Sequence, residues 1–207
     1  RLGTVVELKD FSQRQTQGFI AVVFTHFQNC DNRIYHGLRE LAEKHRFNLS
    51  FFDSESSVEK EREILSFLLT QNVLGLIHMP LGRVTNIDLV SQFTLHKIPL
   101  AFMDFPISGI RAPLITSDNF GGMYALTKYL IRLGHRDIAY YPYTDALLPT
   151  ESERFRGYCE ALLEAGITVR PELLLVDKNS SALHLAPILK EDTYSAEKAV
   201  QTLLKMP

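Results

Sequence analysis

The feature that most constrains the fold is a repeated alternation of short β-branched and aromatic runs with longer amphipathic stretches. The first run, residues 19–25 (FIAVVFT), has the composition of a buried strand. The stretch that follows, residues 31–45, places its apolar side chains on one helix face. Parallel strands need long crossover connections, so repeated strand–helix units favour an α/β fold with parallel sheets flanked by helices.

The alternation continues along the chain and predicts six strand–helix units. Residues 105–114 contain two prolines and one glycine, so a connection is predicted there rather than an element. Ser56 and Glu59 have the spacing of a capping box, and Gly134 is placed to end a helix in a left-handed conformation. The predicted strands are 19–25, 48–53, 73–79, 98–104, 137–143 and 173–176. The predicted helices are 31–45, one opening at Ser56, 86–96, one from Asp118 or Asn119 to Leu133, 151–165 (burying Phe155, Tyr158, Cys159 and Leu162) and 194–204.

Composition excludes several classes of protein. The chain has 207 residues, of which 45% are hydrophobic, so it can bury a substantial core. Its formal net charge is only −2, which argues against tight binding of nucleic acid by this chain alone. The apolar runs fall far short of the ~18 residues of a membrane helix, so no membrane partner is expected. The two cysteines, Cys30 and Cys159, are too few for a disulfide framework, which is typical of a reducing, cytoplasmic compartment.

The motifs of common α/β enzymes are missing from the sequence. It has no Gly-x-Gly-x-x-Gly or Walker loop to hold phosphates and no Gly-x-Ser-x-Gly nucleophile elbow. None of the seven histidines forms a His-Glu-x-x-His or Cys/His cluster. We therefore expect no enzymatic activity, no metal and no cofactor. His78 lies inside a predicted strand and is interpreted as a core histidine rather than a ligand.

Several polar side chains follow the carboxyl ends of predicted strands, where ligands bind in open parallel sheets. Asp104 ends the fourth strand within an apolar run, and its carboxylate needs a partner: sugar hydroxyls, a helix N-terminus or an arginine. Arg154 lies in the first turn of its predicted helix, beside the positive end of the helix dipole. Either a ligand contact or a salt bridge to Glu151 would explain it. His26 is either a ligand contact or a polar loop residue, and Phe27 either stacks on a sugar ring or packs.

Four segments together resemble the effector-binding domain of LacI/GalR bacterial transcription regulators. They are residues 115–122 (ITSDNFGG), 130–139 (LIRLGHRDIA), 152–158 (SERFRGY) and 165–167 (AGI). The resemblance extends more loosely back to residue 19, so it covers nearly all of the chain. It implies the type I periplasmic-binding-protein fold, in which two α/β lobes connected by three crossing segments hold a small molecule in their cleft.

The resemblance also implies a domain organisation. Residues 19–114 would form the N-terminal lobe and residues 115–207 a partial C-terminal lobe, since family members have a further strand beyond this position. Residues 1–18 would be a linker at the end of a DNA-binding domain absent from this chain. Within them, residues 1–6 (RLGTVV) are similar to the last wing strand of a GntR-type winged helix, as in regulators of the arabinose-repressor kind. An ordinary extended leader is the alternative.

The family's effector contacts can be carried over residue by residue. Asp104 matches the acidic residue that hydrogen-bonds effector hydroxyls, and Arg154 matches the arginine three residues before the Gly-Tyr pair. Thr150 and Asn179 fall near other effector positions. Around the first strand the usual Asn-Pro-Phe-Phe run is replaced by residues 29–32 (NCDN). The predicted effector site is thus Asp104, Arg154, His26, Phe27, Thr150 and Asn179.

These observations lead to a functional hypothesis. We expect the ligand-sensing domain of a dimeric, cytoplasmic transcription regulator, with a sugar or sugar-like effector bound between the lobes. Binding would modulate operator affinity through the N-terminal DNA-binding domain. The alternative is a secreted solute-binding receptor of a sugar transporter.

Overall fold

The first half of the chain forms one parallel sheet. A computed structural model describes residues 18–26, 32–142 and 148–175, together with residues 201 and 204. Five parallel strands pair in the order β2-β1-β3-β4-β5, which confirms the predicted α/β class. The strands are β1 (Phe19–Phe24), β2 (Asn48–Asp53), β3 (Val73–His78), β4 (Leu100–Met103) and β5 (Leu114–Ile115). The helices between them are α1 (Asn32–His45), α2 (Val58–Leu69) and α3 (Ile87–Leu95).

Both faces of this sheet are covered, because alternate side chains of a strand point to opposite faces. Ala21 and Val23 of β1 belong to a buried cluster with α2 and α3 residues such as Leu65 and Phe93. Val22 and Phe24 point the other way, into a cluster that includes Leu38 of α1. Strands β1, β3 and β4 therefore carry near-continuous hydrophobic runs, which is why the sequence pattern predicts them.

The second part of the described chain is built on a pair of packed helices, α4 (Asn119–Arg132) and α5 (Pro149–Glu164). They enclose a small core containing Ile138, Tyr140, Tyr158 and Leu162. Gly157 allows the close approach, since a Cβ there would lie 2.4 Å from the carbonyl oxygen of Phe120.

The predicted fifth and sixth strands are wrong in extent within the described residues. Residues 137–142 and 173–175 form a single parallel bridge, between Tyr140 and Leu174. Pro171–Leu173 is a short 3-10 helix instead, because proline favours the first position of a helical turn. Residues 143–147 and 176–200 lie outside the description, and with them most of the predicted last helix.

Several helix boundaries also differ from prediction. The N-cap of α2 is Ser57, whose Oγ accepts from Lys60 N at 3.2 Å, whereas Ser56 is in the left-handed region at φ 57°.

Helix α5 begins at Pro149, so Arg154 lies in its second turn rather than its first. Phe155, predicted to be buried, is 37% exposed, although its ring contacts those of Tyr140 and Tyr158. Asp118 caps α4 as predicted.

Strand β5 is an element that the sequence did not predict. Leu114–Ile115 pairs with β4 at the end of the segment expected to be a connection, and it straddles the predicted lobe boundary. No described helix has the length and apolar character needed to cross a bilayer.

Candidate functional site

A cavity of about 230 Å³, lined by both apolar and polar side chains, lies where β4 and β5 end and α4 and α5 begin. Its walls come from both halves of the described chain: Asp104 and Phe105 on one side, Asn119, Phe120 and Thr150 on the other. The carboxyl ends of parallel strands and the N-termini of helices meet here, which is the usual location of ligand sites in open α/β sheets.

Asp104 is the most constrained residue of this cavity. It follows β4 directly with φ 70°, in the left-handed region, and its amide donates to Ile115 O at 2.9 Å. A non-glycine residue held there costs of order 1–3 kcal/mol, and such strain clusters at functional sites. Burial raises the pKa of the Asp104 carboxyl above its usual range, and the nearby Arg154 acts in the opposite direction. The carboxylate is thus partly desolvated and faces a cationic side chain.

Arg154 is fixed by two neighbours. Its Nη1 donates to Glu151 Oε1 at 2.6 Å, and its Nε donates to Asn119 Oδ1 at 2.9 Å. The salt bridge to Glu151 was one of the two explanations that the sequence left open. Arg154 lines a second cavity of about 220 Å³, and Asp118 and Asn119 belong to the walls of both cavities. The site therefore consists of two adjoining cavities.

Glu151 is buried behind Arg154, with 3% of its surface exposed. Its second oxygen, Oε2, accepts a hydrogen bond from the Tyr140 hydroxyl at 3.1 Å. Burial and the Glu151 charge both raise the pKa of Tyr140, so the hydroxyl keeps its proton and remains a donor. The sequence did not predict Tyr140 or Asn119 as part of this site. For Glu151 the sequence did offer a signal, because its three-residue spacing from Arg154 on one helix predicts an ion pair between them.

The structure brings together some of the predicted site residues. Thr150 is buried and lines the same cavity as Asp104, with Arg154 in the adjoining one. His26 follows β1 and lines neither of these two cavities, and its ligand contact stays a prediction. Phe27 and Asn179 lie outside the described residues, and their roles stay predictions.

His78 lies away from this site, as a core residue. It is fully buried, and its Nε2 lies 3.0 Å from Glu61 Oε1, which confirms its interpretation as a core histidine. Glu61 also accepts from the Leu81 amide at 3.1 Å and from Asn86 Nδ2 at 2.7 Å. This buried network holds the start of the loop after β3. Within the described ranges, no three His, Cys, Asp or Glu side chains are grouped to hold a metal.

A parallel sheet with a cavity at its strand ends, bordered by the N-termini of two helices, is the architecture of an α/β ligand-binding domain. Residues 18–187 match the family described as "Periplasmic binding proteins and sugar binding domain of LacI family". The match covers most of the chain, and the chain belongs to this family.

Individual relatives agree with this membership. The chain is 31% identical over 145 residues to the HTH-type transcriptional regulator RegA of Clostridium saccharobutylicum, covering 70% of this chain and 43% of that protein. It is 29% identical over 143 residues to the HTH-type transcriptional repressor PurR of Pasteurella multocida, covering 69% and 42%. The crystal structure of transcription regulator CcpA of Lactococcus lactis superposes with a TM-score of 0.67 at 25% identity, covering 76% and 57%. The chain thus spans less than half the length of the curated relatives RegA and PurR.

Proposed function

We propose that this chain is the effector-sensing part of a bacterial transcription regulator and binds a sugar or sugar-like molecule in the paired cavities. The observation that carries the proposal is Asp104, a partly desolvated carboxylate held in a strained backbone conformation at the carboxyl end of β4. A carboxylate accepts hydrogen bonds from ligand hydroxyls, and charge-assisted bonds of this kind are stronger than neutral ones.

The cavity also offers donors for ligand oxygens. The guanidinium of Arg154 has five N–H donors, and Glu151 and Asn119 take up part of this capacity. Thr150 supplies a hydroxyl that both donates and accepts. A polyhydroxylated ring matches this mixture of acceptors and donors, which is the support for a sugar-like effector.

The proposed mechanism is a shift between two conformations. Asp104 directly follows β4, whereas Thr150 and Arg154 belong to α5, so a ligand that spans the two adjoining cavities would contact two parts of the chain. A ligand that binds one arrangement of these parts more tightly favours that arrangement by its differential affinity. The change would alter operator binding through the DNA-binding domain of a cytoplasmic homodimer. Residues 1–6, whose similarity to a GntR-type wing strand suggested the type of DNA-binding domain, lie outside the described residues, and a GntR-type domain stays a prediction beside the alternative of an extended leader.

The domain acts, in this proposal, by binding rather than by catalysis. Its matched relatives RegA, PurR and CcpA are named as transcription regulators. That favours a regulator over a secreted transporter receptor, which shares the fold.

Calorimetric titration with pentoses, hexoses and nucleosides tests the proposal. Asp104→Asn keeps the shape of the side chain but removes its charge, and it is expected to weaken binding roughly 10- to 150-fold, the value of a hydrogen bond to a charged group. Arg154→Ala is expected to weaken binding by a similar factor. Glu63→Gln, an exposed carboxylate on α2, is the matched charge control and should bind as the wild type does. Unchanged affinity in both site variants would refute the site.

A further inference from the structure

We propose that Glu151 is a positioning residue that fixes the Arg154 guanidinium and neutralises its charge, so that the site selects an uncharged hydroxyl-bearing ligand over a phosphorylated or carboxylated one. This inference rests on the proposed function and specifies its ligand class. It follows from the charges and hydrogen bonds around Arg154.

The first step concerns geometry. Glu151 cannot swing away from Arg154, because its side chain is 3% exposed and its second oxygen accepts from Tyr140. Asn119 holds the other edge of the guanidinium at Nε. An arginine held on two sides presents its remaining N–H groups in a defined direction, which reduces the entropy lost when a ligand binds.

The second step concerns charge. Arg154 and Glu151 form an ion pair whose charges sum to zero, and Asp104 adds one negative charge at the adjoining cavity. A second acid on the same wall, Glu153, pairs with Arg156 at 2.9 Å. A phosphate ester would therefore meet the Asp104 carboxylate without an unneutralised cation among the described wall residues. A neutral sugar would place hydroxyl donors there instead.

The third step concerns the helix N-termini, which ordinarily attract anions. Asp118 occupies the N-terminus of α4, accepting from the Gly121 amide at 2.7 Å. Helix α5 begins with Pro149, which has no N–H, and Glu151 lies in its first turn. Both helix ends at the cavity therefore already carry a carboxylate.

Inorganic phosphate is the probe that tests this inference without knowledge of the effector. Its binding to the purified protein is measured by calorimetry and by thermal shift at pH 7.5, against sodium chloride at equal ionic strength. The wild type is expected to show no saturable phosphate binding. Glu151→Gln retains the side-chain shape but frees the charge of Arg154, and it is expected to gain phosphate affinity of about tenfold or more. Adding Arg154→Gln to this variant should abolish the gain.

Two control variants separate charge from loosened packing. Tyr140→Phe removes the hydroxyl that holds Glu151 but keeps the carboxylate, so it should gain no phosphate binding. Glu160→Gln removes an exposed charge on the same helix and should behave as the wild type. Circular dichroism establishes that each variant is folded. Saturable phosphate binding by the wild type, no gain in Glu151→Gln, or an equal gain in Tyr140→Phe would overturn the inference.

A second arm compares a neutral sugar that binds with its phosphate ester. We expect the wild type to prefer the neutral form and Glu151→Gln to reduce that preference by about tenfold or more. If no sugar binds while the phosphate results hold, the proposed sugar-sensing function fails and the charge assignment stands. If sugars bind and the wild type prefers the ester, the charge assignment fails and the sensing function stands.

Discussion

Replacing Glu61 with alanine tests the buried network behind the loop that follows β3. Glu61 and His78 are both fully buried, and the Glu61 carboxylate accepts from Leu81, Asn86 and His78 at 2.7–3.1 Å. Glu61→Ala would leave three buried N–H groups without an acceptor, one each on Leu81, His78 and Asn86, although Asn86 Nδ2 keeps its other hydrogen bond, to Val58 O at 3.1 Å. At about 1–2 kcal/mol for each unsatisfied donor, the lower part of the usual range because water can enter the space vacated, the loss is about 3–6 kcal/mol.

The loss is large compared with the usual stability of a domain, about 5–15 kcal/mol. Each kcal/mol lowers the melting temperature of a protein of this size by about 2–4 °C, so the fall is expected to be about 6–24 °C. Urea unfolding followed by circular dichroism gives the free energy of unfolding directly. Glu63→Ala removes an exposed carboxylate from the same helix and should change stability by less than about 0.5 kcal/mol. A loss below about 1 kcal/mol for Glu61→Ala would refute this account of the network.

Three further predictions concern the α4–α5 pair and the titration of the site. Gly157→Ala places a methyl group against the backbone of Phe120 and should lower the free energy of unfolding by about 1–3 kcal/mol or more, as measured by thermal unfolding. Gly122→Ala is the matched variant: its Cβ would lie in open space, and it should stabilise α4 by up to about 1 kcal/mol. Because the folded-state pKa of Asp104 is raised, the stability it contributes falls as the pH rises through that pKa. Asp104→Asn should therefore have a higher melting temperature than the wild type at pH 7 and the same melting temperature at a pH below the ordinary pKa of aspartate. The same difference in melting temperature at both pH values would contradict the raised pKa of Asp104. Burial raises the pKa of Tyr158 to about 12, so the free energy of unfolding should decline between about pH 10 and 12. In a titration followed by phenolate absorbance at 295 nm, Tyr158 should not contribute to the signal near pH 10. Ionisation of every tyrosine near pH 10 in the folded protein would refute this prediction.

The sequence predicted the elements whose pattern is local. Strands β1, β3 and β4 contain buried apolar residues, and burial on both faces makes these runs nearly continuous. The edge strand β2 is only partly buried, and its aromatic pair Phe51 and Phe52 marks it instead. Strand β5 has only two residues, both exposed, so no periodicity marks it, and its pairing depends on its tertiary position beside β4. The segment at Tyr140 has strand composition, and among the described residues it forms one bridge, to Leu174.

The site shows the same division between local and tertiary information. Asp104 was predictable, because a carboxylate inside an apolar run needs a partner. Its left-handed backbone was not predictable, since the residue is not a glycine and the conformation is imposed by the bond to Ile115. The contacts of Arg154 with Asn119 and of Glu151 with Tyr140 join residues 35 and 11 positions apart, which only the folded chain reveals.

The separation of Asp104, just after β4, from Glu151 on helix α5 has an evolutionary consequence. The group that would recognise hydroxyls and the group that sets the charge of the site lie on different segments. A single nucleotide substitution converts a glutamate codon into a glutamine codon. Under the charge assignment proposed above, one such change at position 151 would shift ligand preference from neutral hydroxyl-bearing molecules towards their phosphate esters while Asp104 stays intact. A duplicated copy could thus acquire a new signal in one step.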